Sequence, residues 1–353
     1  MPQKVSLASD NWTPAHPAIM EAIVQANEGS AFPYGSDPWT EEAHNLIQSI
    51  FQKKCKILIL PTGTGSNVLA LKLSCRRHES VICTDIAHIQ SQESGAAEAV
   101  VGCKLITIPH QNGKLKPEAV LKRLNSKRAL GKHTTSPRVL SITQPTEIGT
   151  VYTLEELIAL SKLCRTENLL FHIDGSRFYN AAAFLKIDLG EMIHSIEVDL
   201  LSLGGTKNGL MGAESLIIFN PTLEEGSDHL HKQTLQLLSK MRYLSAQYIP
   251  FFKQGLWRTL ANQANQRAQE LTSILKNTPH ISLSYPVETN QVFFTVPPSW
   301  IPLIQDKISC YLWDHDKSEI RWIASWNTSE EDIKQVELAI AEISLNPIYT
   351  ETS

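Results

Sequence analysis

Short apolar runs alternate with amphipathic stretches from about residue 15 to residue 245. Strands that alternate with helices build βαβ units, so this alternation predicts an α/β domain with a mostly parallel sheet. The predicted strands are 56–60, 80–83, 104–108, 138–143, 169–173, 198–203 and 215–219.

Helix starts between these runs show two kinds of signal. Proline suits the first helical turn, where no backbone N–H is needed. A hydroxyl residue three positions before a glutamate forms a capping box. These signals predict helices at three places: 117–124 beginning at Pro117, 154–166 with Thr153 and Glu156, and 329–344 with Thr328 and Glu331.

The pattern changes after a long helical region at about 227–276, which we expect to be interrupted near Pro250. Short apolar runs with flanking helices then predict a compact α+β unit. We expect a large domain over 1–245 and a small C-terminal domain over 246–353. The strands predicted in the small domain are 280–284, 291–296, 309–314 and 319–325.

Composition narrows the function classes. A formal net charge of −4 and a pI near 6.3 provide no basic surface for nucleic acid or an anionic membrane. The N-terminus lacks the apolar stretch of a signal peptide, and no apolar run has the length of a membrane span. The six cysteines form no Cys-x-x-Cys pair. We therefore expect no metal site, no disulfide framework and a cytoplasmic location.

Two strand ends carry the most informative residues. Lys207 stands in Gly204-Gly205-Thr206-Lys207-Asn208-Gly209, directly after an apolar run, and Asp174 follows the run 169–173. A lysine of this kind holds pyridoxal phosphate as a Schiff base, and an aspartate keeps the pyridine nitrogen protonated. The alternative is a surface lysine and a turn aspartate, which is the commoner meaning of either residue alone.

A third strand end has the composition of a phosphate site. The run 56–60 is followed by Pro61-Thr62-Gly63-Thr64-Gly65-Ser66-Asn67 and then by a helical pattern from Val68 to Arg77. Glycines and hydroxyls at a strand-to-helix turn offer free N–H groups, and the helix dipole favours an anion. The segment lacks the Gly-Lys-Ser/Thr of a Walker loop and the third glycine of a dinucleotide fingerprint. Alone it could be a plain tight turn.

His88 follows the predicted strand 80–83 closely. Its flat ring could stack on the pyridine ring or carry a proton near neutral pH. The alternative is an ordinary loop histidine, since the chain has 12 histidines. Its position at a strand end of an α/β sheet favours a functional role.

Together these segments resemble the low-specificity L-threonine aldolases, which belong to the pyridoxal-phosphate enzymes of fold type I, the aspartate-aminotransferase-like group. The likeness runs from about residue 7 to residue 340. The matching segments are Ser9-Asp10-Asn11, Tyr34-Gly35-Ser36-Asp37-Pro38, 63–67, Ala87-His88-Ile89, Ser141-Ile142-Thr143-Gln144, 172–177, 204–209 and 321–326.

The resemblance implies a role for each matching residue. Lys207 forms the Schiff base, Asp174 pairs with the pyridinium, and His88 stacks on the ring. Three groups of residues complete the implied site: Gly63, Thr64 and Asn67 near the phosphate; Ser9, Arg177 and Arg321 at the substrate carboxylate, with Arg177 also near the cofactor; and His133 at the substrate hydroxyl. Arg321 alone could equally be a charge on a strand surface. Glu93 is a further acidic residue near His88 and could face solvent.

The implied activity is cleavage of L-threonine or L-allo-threonine to glycine and acetaldehyde, by a homodimer or homotetramer with shared active sites. Lys240 and Arg242 are candidates for a basic side chain that reaches the phosphate of the neighbouring subunit. The base for the β-hydroxyl is left open between His88, His133 and water. Alternative functions are phenylserine-type cleavage, β-elimination or racemisation on the same scaffold, a non-catalytic pyridoxal-phosphate protein, and a cofactor-free Schiff-base aldolase.

Overall fold

The computed structural model describes residues 4–345. The hydrophobic clusters in this part of the chain pack around two sheets, a seven-stranded sheet and a smaller antiparallel sheet. The strands are β1 Val5–Ser6, β2 Lys56–Leu60, β3 Glu79–Thr84, β4 Lys104–Ile108, β5 Ser136–Thr143, β6 Leu170–Gly175, β7 Leu200–Leu203, β8 Glu214–Ile218, β9 Ser282–Leu283, β10 Gln291–Thr295, β11 Ile308–Ser309, β12 Tyr311–Asp314 and β13 Glu319–Ile323.

Helices cover the large sheet and flank the small one. Their bounds are α1 Pro17–Gln25, α2 Pro38–Phe51, α3 Gly63–Ser74, α4 His88–Ser91, α5 Pro117–Arg128, α6 Leu154–Thr166, α7 Phe178–Leu185, α8 Leu189–His194, α9 Ser227–Gln233, α10 Arg242–Ser245, α11 Tyr248–Lys253, α12 Leu256–Lys276, α13 Ile301–Lys307 and α14 Glu330–Ser344.

The large sheet has the order β2-β8-β7-β6-β5-β3-β4. Strands β3 to β7 run parallel, and β8 is antiparallel to both of its neighbours. All seven strands predicted in the first part of the chain are present, with ends shifted by one or two residues. Parallel strands are covered on both faces, so their continuous apolar runs are easy to find in a sequence.

Two local predictions were wrong. The last helix is capped by Ser329, which forms the capping box with Asp332. Thr328 instead accepts a hydrogen bond from the backbone N–H of Ser325. Helix α3 begins at Gly63 and not at Val68. A hydroxyl precedes an acidic residue by three positions in both candidate boxes, so the sequence pattern alone does not choose between them.

The predicted interruption near Pro250 is confirmed, because residues 246–247 separate α10 from α11 and residues 254–255 separate α11 from α12; Pro250 itself lies inside α11. It occupies the first turn of this helix, where proline costs no hydrogen bond. The break between α11 and α12 comes at Gly255, whose φ of +64° favours glycine. Residues 234–241 form a longer interruption of the predicted helical region.

The hydrophobic cluster at the smaller sheet contains β10, β13 and the helices around them, with Val5 and Leu7 from the N-terminal segment. Strand β1 pairs with β11 in parallel, which fastens that segment to the C-terminal part. Helix α12 packs into clusters at both sheets, through Leu260 at the large sheet and Leu271 at the smaller one. The domain boundary between residues 245 and 246 stays a prediction. No helix in the described residues is long and apolar enough to cross a membrane.

Candidate active site

The carboxyl ends of the central parallel strands bring the predicted residues together. Thr143 at the end of β5 lies beside Asp174 on β6, and Gly175 lies beside Leu203 at the end of β7. The loop after β7 carries Lys207. Ligands of open α/β sheets bind at this edge. Two adjoining cavities here share the side chains of Lys207 and His88 among their lining residues.

Lys207 lies in a short 3₁₀ turn, Thr206–Asn208. The carboxylate of Glu214 holds this turn by accepting hydrogen bonds from the N–H groups of Gly205 and Thr206, at 3.2 and 3.3 Å. Burial lowers the pKa of Lys207, and the positive charge of Arg177 lowers it further. Both effects favour the neutral amine that Schiff-base formation needs.

The two glycines before the lysine allow the backbone of this turn to pack closely against the backbone of neighbouring segments. A Cβ added to Gly204 would lie 2.7 Å from backbone atoms of Ser176, and one added to Gly205 would lie 2.4 Å from the carbonyl oxygen of Ala213. Side chains larger than hydrogen therefore displace the turn that carries Lys207.

Asp174 is 3% exposed, and both of its carboxylate oxygens are hydrogen-bonded. Oδ1 accepts from the N–H and the hydroxyl of Ser176, each at 3.0 Å, and Oδ2 accepts from Nδ2 of Asn67 at 2.8 Å. Burial acts to raise the pKa of Asp174. The positive charges of His88 and Lys207 and the hydrogen bond from Asn67 outweigh it, and the pKa lies below its ordinary value. Asp174 therefore stays ionised near a cationic partner.

His88 is paired with Glu93, because Nδ1 lies 2.8 Å from Oε1 of the glutamate. Glu93 does not face solvent, since it is 6% exposed. The same oxygen accepts from Nδ2 of Asn67 at 2.9 Å, so one amide bridges Glu93 and Asp174. His88, Glu93 and Asp174 are also the one group of possible metal ligands within the described residues, and they lie where a cationic ring would bind.

The first turn of α3 forms the candidate phosphate site. The hydroxyl of Thr62 accepts from the N–H of Gly65 at 3.0 Å, while the N–H groups of Gly63 and Thr64 have no partner within residues 4–345. A Cβ added to Gly63 would meet nothing within 4 Å. Open space and free N–H groups at the start of a 12-residue helix suit a phosphate.

The donors and acceptors at this edge fit pyridoxal phosphate. Oδ1 of Asn67 and Oε2 of Glu93 are buried without a hydrogen-bond partner in the described part of the chain, so they are available to a ligand's N–H or O–H. The ionised Asp174 suits a pyridinium, and Lys207 has the depressed pKa of a Schiff-base lysine. Together with the phosphate site of α3, these residues match the phosphate, the pyridinium nitrogen, the aldehyde and the ring hydroxyl of the cofactor.

The outer cleft is lined by Ser9, Arg177 and Arg321, three of the predicted carboxylate-binding residues. Arg177 is already paired inside the protein: Nε and Nη2 donate to the two carboxylate oxygens of buried Asp10, at 2.7 and 2.9 Å. This bidentate pair fixes the guanidinium and leaves Nη1 for a substrate.

Arg321 lies on β13 and has no carboxylate partner among residues 4–345. Its guanidinium carbon lies 4.4 Å from the ring centre of Trp313, and Nη2 donates to the carbonyl oxygen of Ala8 at 3.3 Å. Nε is buried without a partner. Burial and the charge of Arg177 lower the pKa of Arg321 to about 10. Two cations, one without a counter-ion, make a site for an anion.

His133 does not join this site within one chain. It is exposed in the 3₁₀ turn Gly131–His133, before the amino end of β5. Ser136 at that end of β5 pairs with Glu79, at the start of β3. His133 therefore lies at the opposite sheet edge from Thr143.

Three residues of the site had no role in the sequence interpretation: Asp10, Glu147 and Glu214. Asp10 stands inside a quoted segment, Ser9-Asp10-Asn11, and Glu147 follows another, Ser141–Gln144, by three residues. Extending each strand end by a few polar residues would have found Glu147 and Glu214. The pairing of Asp10 with Arg177 spans 167 residues and leaves no local pattern.

Comparison with known proteins gives consistent results. Residues 6–298 match the family described as Beta-eliminating lyase. The chain is 36% identical to the low specificity L-threonine aldolase of Pseudomonas sp. (strain NCIMB 10558), over 95% of this chain and 96% of that protein. It is 35% identical to the enzyme of the same name from Pseudomonas aeruginosa, over 93% and 95% of the two chains.

Among solved structures, the threonine aldolase of Leishmania major superposes with a TM-score of 0.91 at 29% identity, over 96% of this chain and 99% of that one. This agreement confirms the predicted fold class, a fold type I architecture with a mostly parallel large sheet and a smaller α+β part.

Proposed function

This chain belongs to the beta-eliminating lyase family, in its low-specificity L-threonine aldolase group, and we propose that it cleaves L-threonine and L-allo-threonine to glycine and acetaldehyde. The observation that carries the proposal is the meeting of Lys207 and Asp174 with an arginine-lined cleft at one sheet edge. An amine-binding group, an electron-withdrawing cofactor site and a carboxylate site are the three requirements for opening a bond at the α-carbon of an amino acid.

The cofactor of this reaction is pyridoxal phosphate, which supplies an electron sink for the pair released when the Cα–Cβ bond breaks. Lys207 would hold its aldehyde carbon, Asp174 its pyridinium nitrogen, and the first turn of α3 its phosphate. His88 would cover one face of the ring, and Glu93 holds the imidazole in place.

The arginines of the cleft orient the substrate. Arg321 and the free Nη1 of Arg177 would bind the carboxylate, with the hydroxyl of Ser9 beside them. Holding both the carboxylate and the amine would restrict rotation about the N–Cα bond and keep the bonds at Cα in one orientation. Such positioning can lower a barrier by as much as about 7–11 kcal/mol.

A product assay tests this function. The purified protein with pyridoxal phosphate is given L-threonine, L-allo-threonine and phenylserine separately, and glycine, the released aldehyde and ammonia are measured. We expect glycine and acetaldehyde in equal amounts. Ammonia with a keto acid would instead establish β-elimination, and an aldehyde released only from phenylserine would establish a bulkier substrate.

Assembly into a dimer with shared sites is part of the proposal. Phe32 and Leu235 are large apolar side chains that are 77% and 85% exposed on one chain. Lys240 is exposed, while Arg242 donates to the carbonyl oxygen of Gly29 within its own chain. Lys240 is therefore the stronger candidate for the neighbouring phosphate. Sedimentation gives the assembly state, and Lys240→Ala should weaken pyridoxal-phosphate binding.

A further inference from the structure

Glu147 is a carboxylic acid in the cleft for which the proposed function has not yet provided a role. It lies four residues after the end of β5 and lines the same cleft as Lys207, Arg177 and Arg321. Within the described residues it is the only carboxylic acid among the side chains that line this cleft. Asp174, Glu93 and Glu214 lie deeper, around the cofactor site.

Two hydrogen bonds fix the carboxyl group of Glu147, and both end on one oxygen. Oε1 accepts from the backbone N–H of His88 at 2.9 Å and from the hydroxyl of Thr143 at 2.5 Å. Oε2 has no hydrogen-bond partner among residues 4–345. It is accessible, since it is absent from the set of buried unpaired atoms in these residues. A carboxyl group with one anchored and one free oxygen is suited to a ligand hydroxyl.

The charged groups of the cleft correspond to different parts of a substrate. A β-hydroxy-α-amino acid presents a carboxylate, an amine and a hydroxyl. Arg177 and Arg321 suit the carboxylate, and Lys207 marks the amine. Among the described residues that line the cleft, only His88 and Glu147 are left to accept a proton from the hydroxyl.

His88 is the weaker candidate of the two. Its Nδ1 is taken by Glu93, and the same pairing places the imidazole over the cofactor site. If the imidazole covers the face of the cofactor ring, it would serve there mainly as a stacking group. The free oxygen of Glu147 has no such constraint.

We propose that Glu147 binds the β-hydroxyl of the substrate and takes its proton as the Cα–Cβ bond breaks. The inference rests on the proposed aldolase function and names a residue that performs one step of it. The O–H bond breaks, and its electron pair forms the carbonyl bond of the aldehyde. The Cα–Cβ pair stays on Cα, which takes up one proton to become glycine, and Glu147 releases one proton, so the step is balanced.

The surroundings of Glu147 support a proton acceptor that works near neutral pH. Burial raises its pKa to about 7, against hydrogen bonds from Thr143 and His88 that lower it, and the charge of Asp174 raises it further. Cys83 on β3 and Tyr152 also face it, and burial raises the pKa of both, so they stay neutral. A base with a pKa near the working pH is the most effective one.

The test compares Glu147→Gln with wild type in two reactions of the pyridoxal-phosphate-loaded full chain. Glutamine keeps the shape and the two accepted hydrogen bonds but takes up no proton. Cleavage of L-threonine should fall at least about 100-fold, the usual contribution of a general base. Exchange of the α-hydrogen of glycine in deuterium oxide involves no hydroxyl and should stay within about threefold of wild type. Glu337→Gln, an exposed change on α14, is the matched control and should alter neither reaction.

The outcomes separate the two proposals. Wild-type cleavage in Glu147→Gln, or an equal loss of cleavage and exchange, would overturn the role of Glu147; the second result would mean that the residue only positions His88. Absence of threonine cleavage by wild type would overturn the aldolase function, and the role of Glu147 with it.

A spectroscopic measurement adds a readout that does not depend on turnover. The infrared difference between wild type and Glu147→Gln should contain a protonated carboxyl band that disappears as the pH rises through about 7. A band that is lost at the pH of an ordinary glutamate, about 4, would contradict the proposal. The acid limb of the wild-type pH–rate curve should follow the same titration and be missing from the residual activity of the variant.

Discussion

Nδ1 of His88 lies 2.8 Å from Oε1 of Glu93, and the glutamate is buried behind the ring. A buried carboxylate that accepts from an imidazole fixes the orientation of the ring and favours the proton on Nδ1. This pair therefore decides which face His88 presents to the cofactor site.

Replacing Glu93 tests this role. Glu93→Ala should lower kcat for threonine about tenfold or more, because hydrogen bonds to charged groups contribute about 1.5–3 kcal/mol. Glu93→Gln should lose less, since its amide oxygen still accepts from Nδ1. Initial rates over a range of threonine concentrations give kcat and KM for both variants. The visible spectrum of the bound cofactor should also shift in Glu93→Ala. Equal activity of all three proteins would show that the pair does not matter.

Lys207→Ala removes the one lysine that lines the two cavities within residues 4–345. The purified variant should lack the visible absorbance of the Schiff base and should not cleave threonine at a measurable rate. Lys253→Ala, which changes an exposed lysine on α11, is the control and should retain both properties. Turnover by Lys207→Ala at the wild-type rate would remove the assignment of the cofactor lysine.

Replacing Arg321 with lysine tests whether the substrate carboxylate needs the guanidinium itself or only a positive charge. Arg321→Lys keeps the charge but loses the two-pronged guanidinium and its stacking on Trp313. We expect KM for threonine to rise at least about tenfold while kcat falls less, because a hydrogen-bonded charge pair contributes about 1.5–3 kcal/mol. Initial rates over a range of threonine concentrations give both constants. An unchanged KM would place the carboxylate elsewhere.

The ion pair between Asp10 and Arg177 should make the protein less stable in acid. Burial acts to raise the pKa of Asp10, but Arg177 and Lys207 outweigh it and the pKa lies below its ordinary value. The stabilisation is therefore complete above the unfolded pKa, about 3.9, and is lost as the pH falls through the lower folded value. Asp10→Ala should cost up to about 3 kcal/mol at neutral pH, since it leaves the half-buried Arg177 without its partner. Chemical denaturation at neutral and acid pH measures this, and a cost that does not shrink in acid would contradict the pairing.

The parts of the fold that could be predicted are those with a local cause. Buried parallel strands such as β6 are continuous apolar runs, and Asp174 and Lys207 stand directly after such runs. The capping box of α6 needs only Thr153 and Glu156. Each of these features is determined by a few adjacent residues.

The parts that could not be predicted depend on contacts between distant segments. Arg177 meets Asp10 across 167 residues, and Asn67 on α3 bridges Glu93 and Asp174, which lie 26 and 107 residues away along the chain. The burial of Glu93 has the same origin, so its sequence neighbours did not indicate it.

Glu147 should make the stability of the folded protein fall as the pH rises. Its folded pKa of about 7 exceeds the unfolded value of about 4.3, so the folded state binds more protons between these two values. In this range the free energy of unfolding decreases by up to about 1.4 kcal/mol per pH unit, and the decrease is smaller where solvent reaches the carboxyl group. Glu147→Gln has no charge to bury. Its stability relative to wild type should therefore rise from about pH 5 to about pH 8. Glu337→Gln should show no such trend. Denaturation curves of the three proteins at both pH values provide the measurement, and a difference independent of pH would mean that Glu147 titrates as an ordinary exposed glutamate.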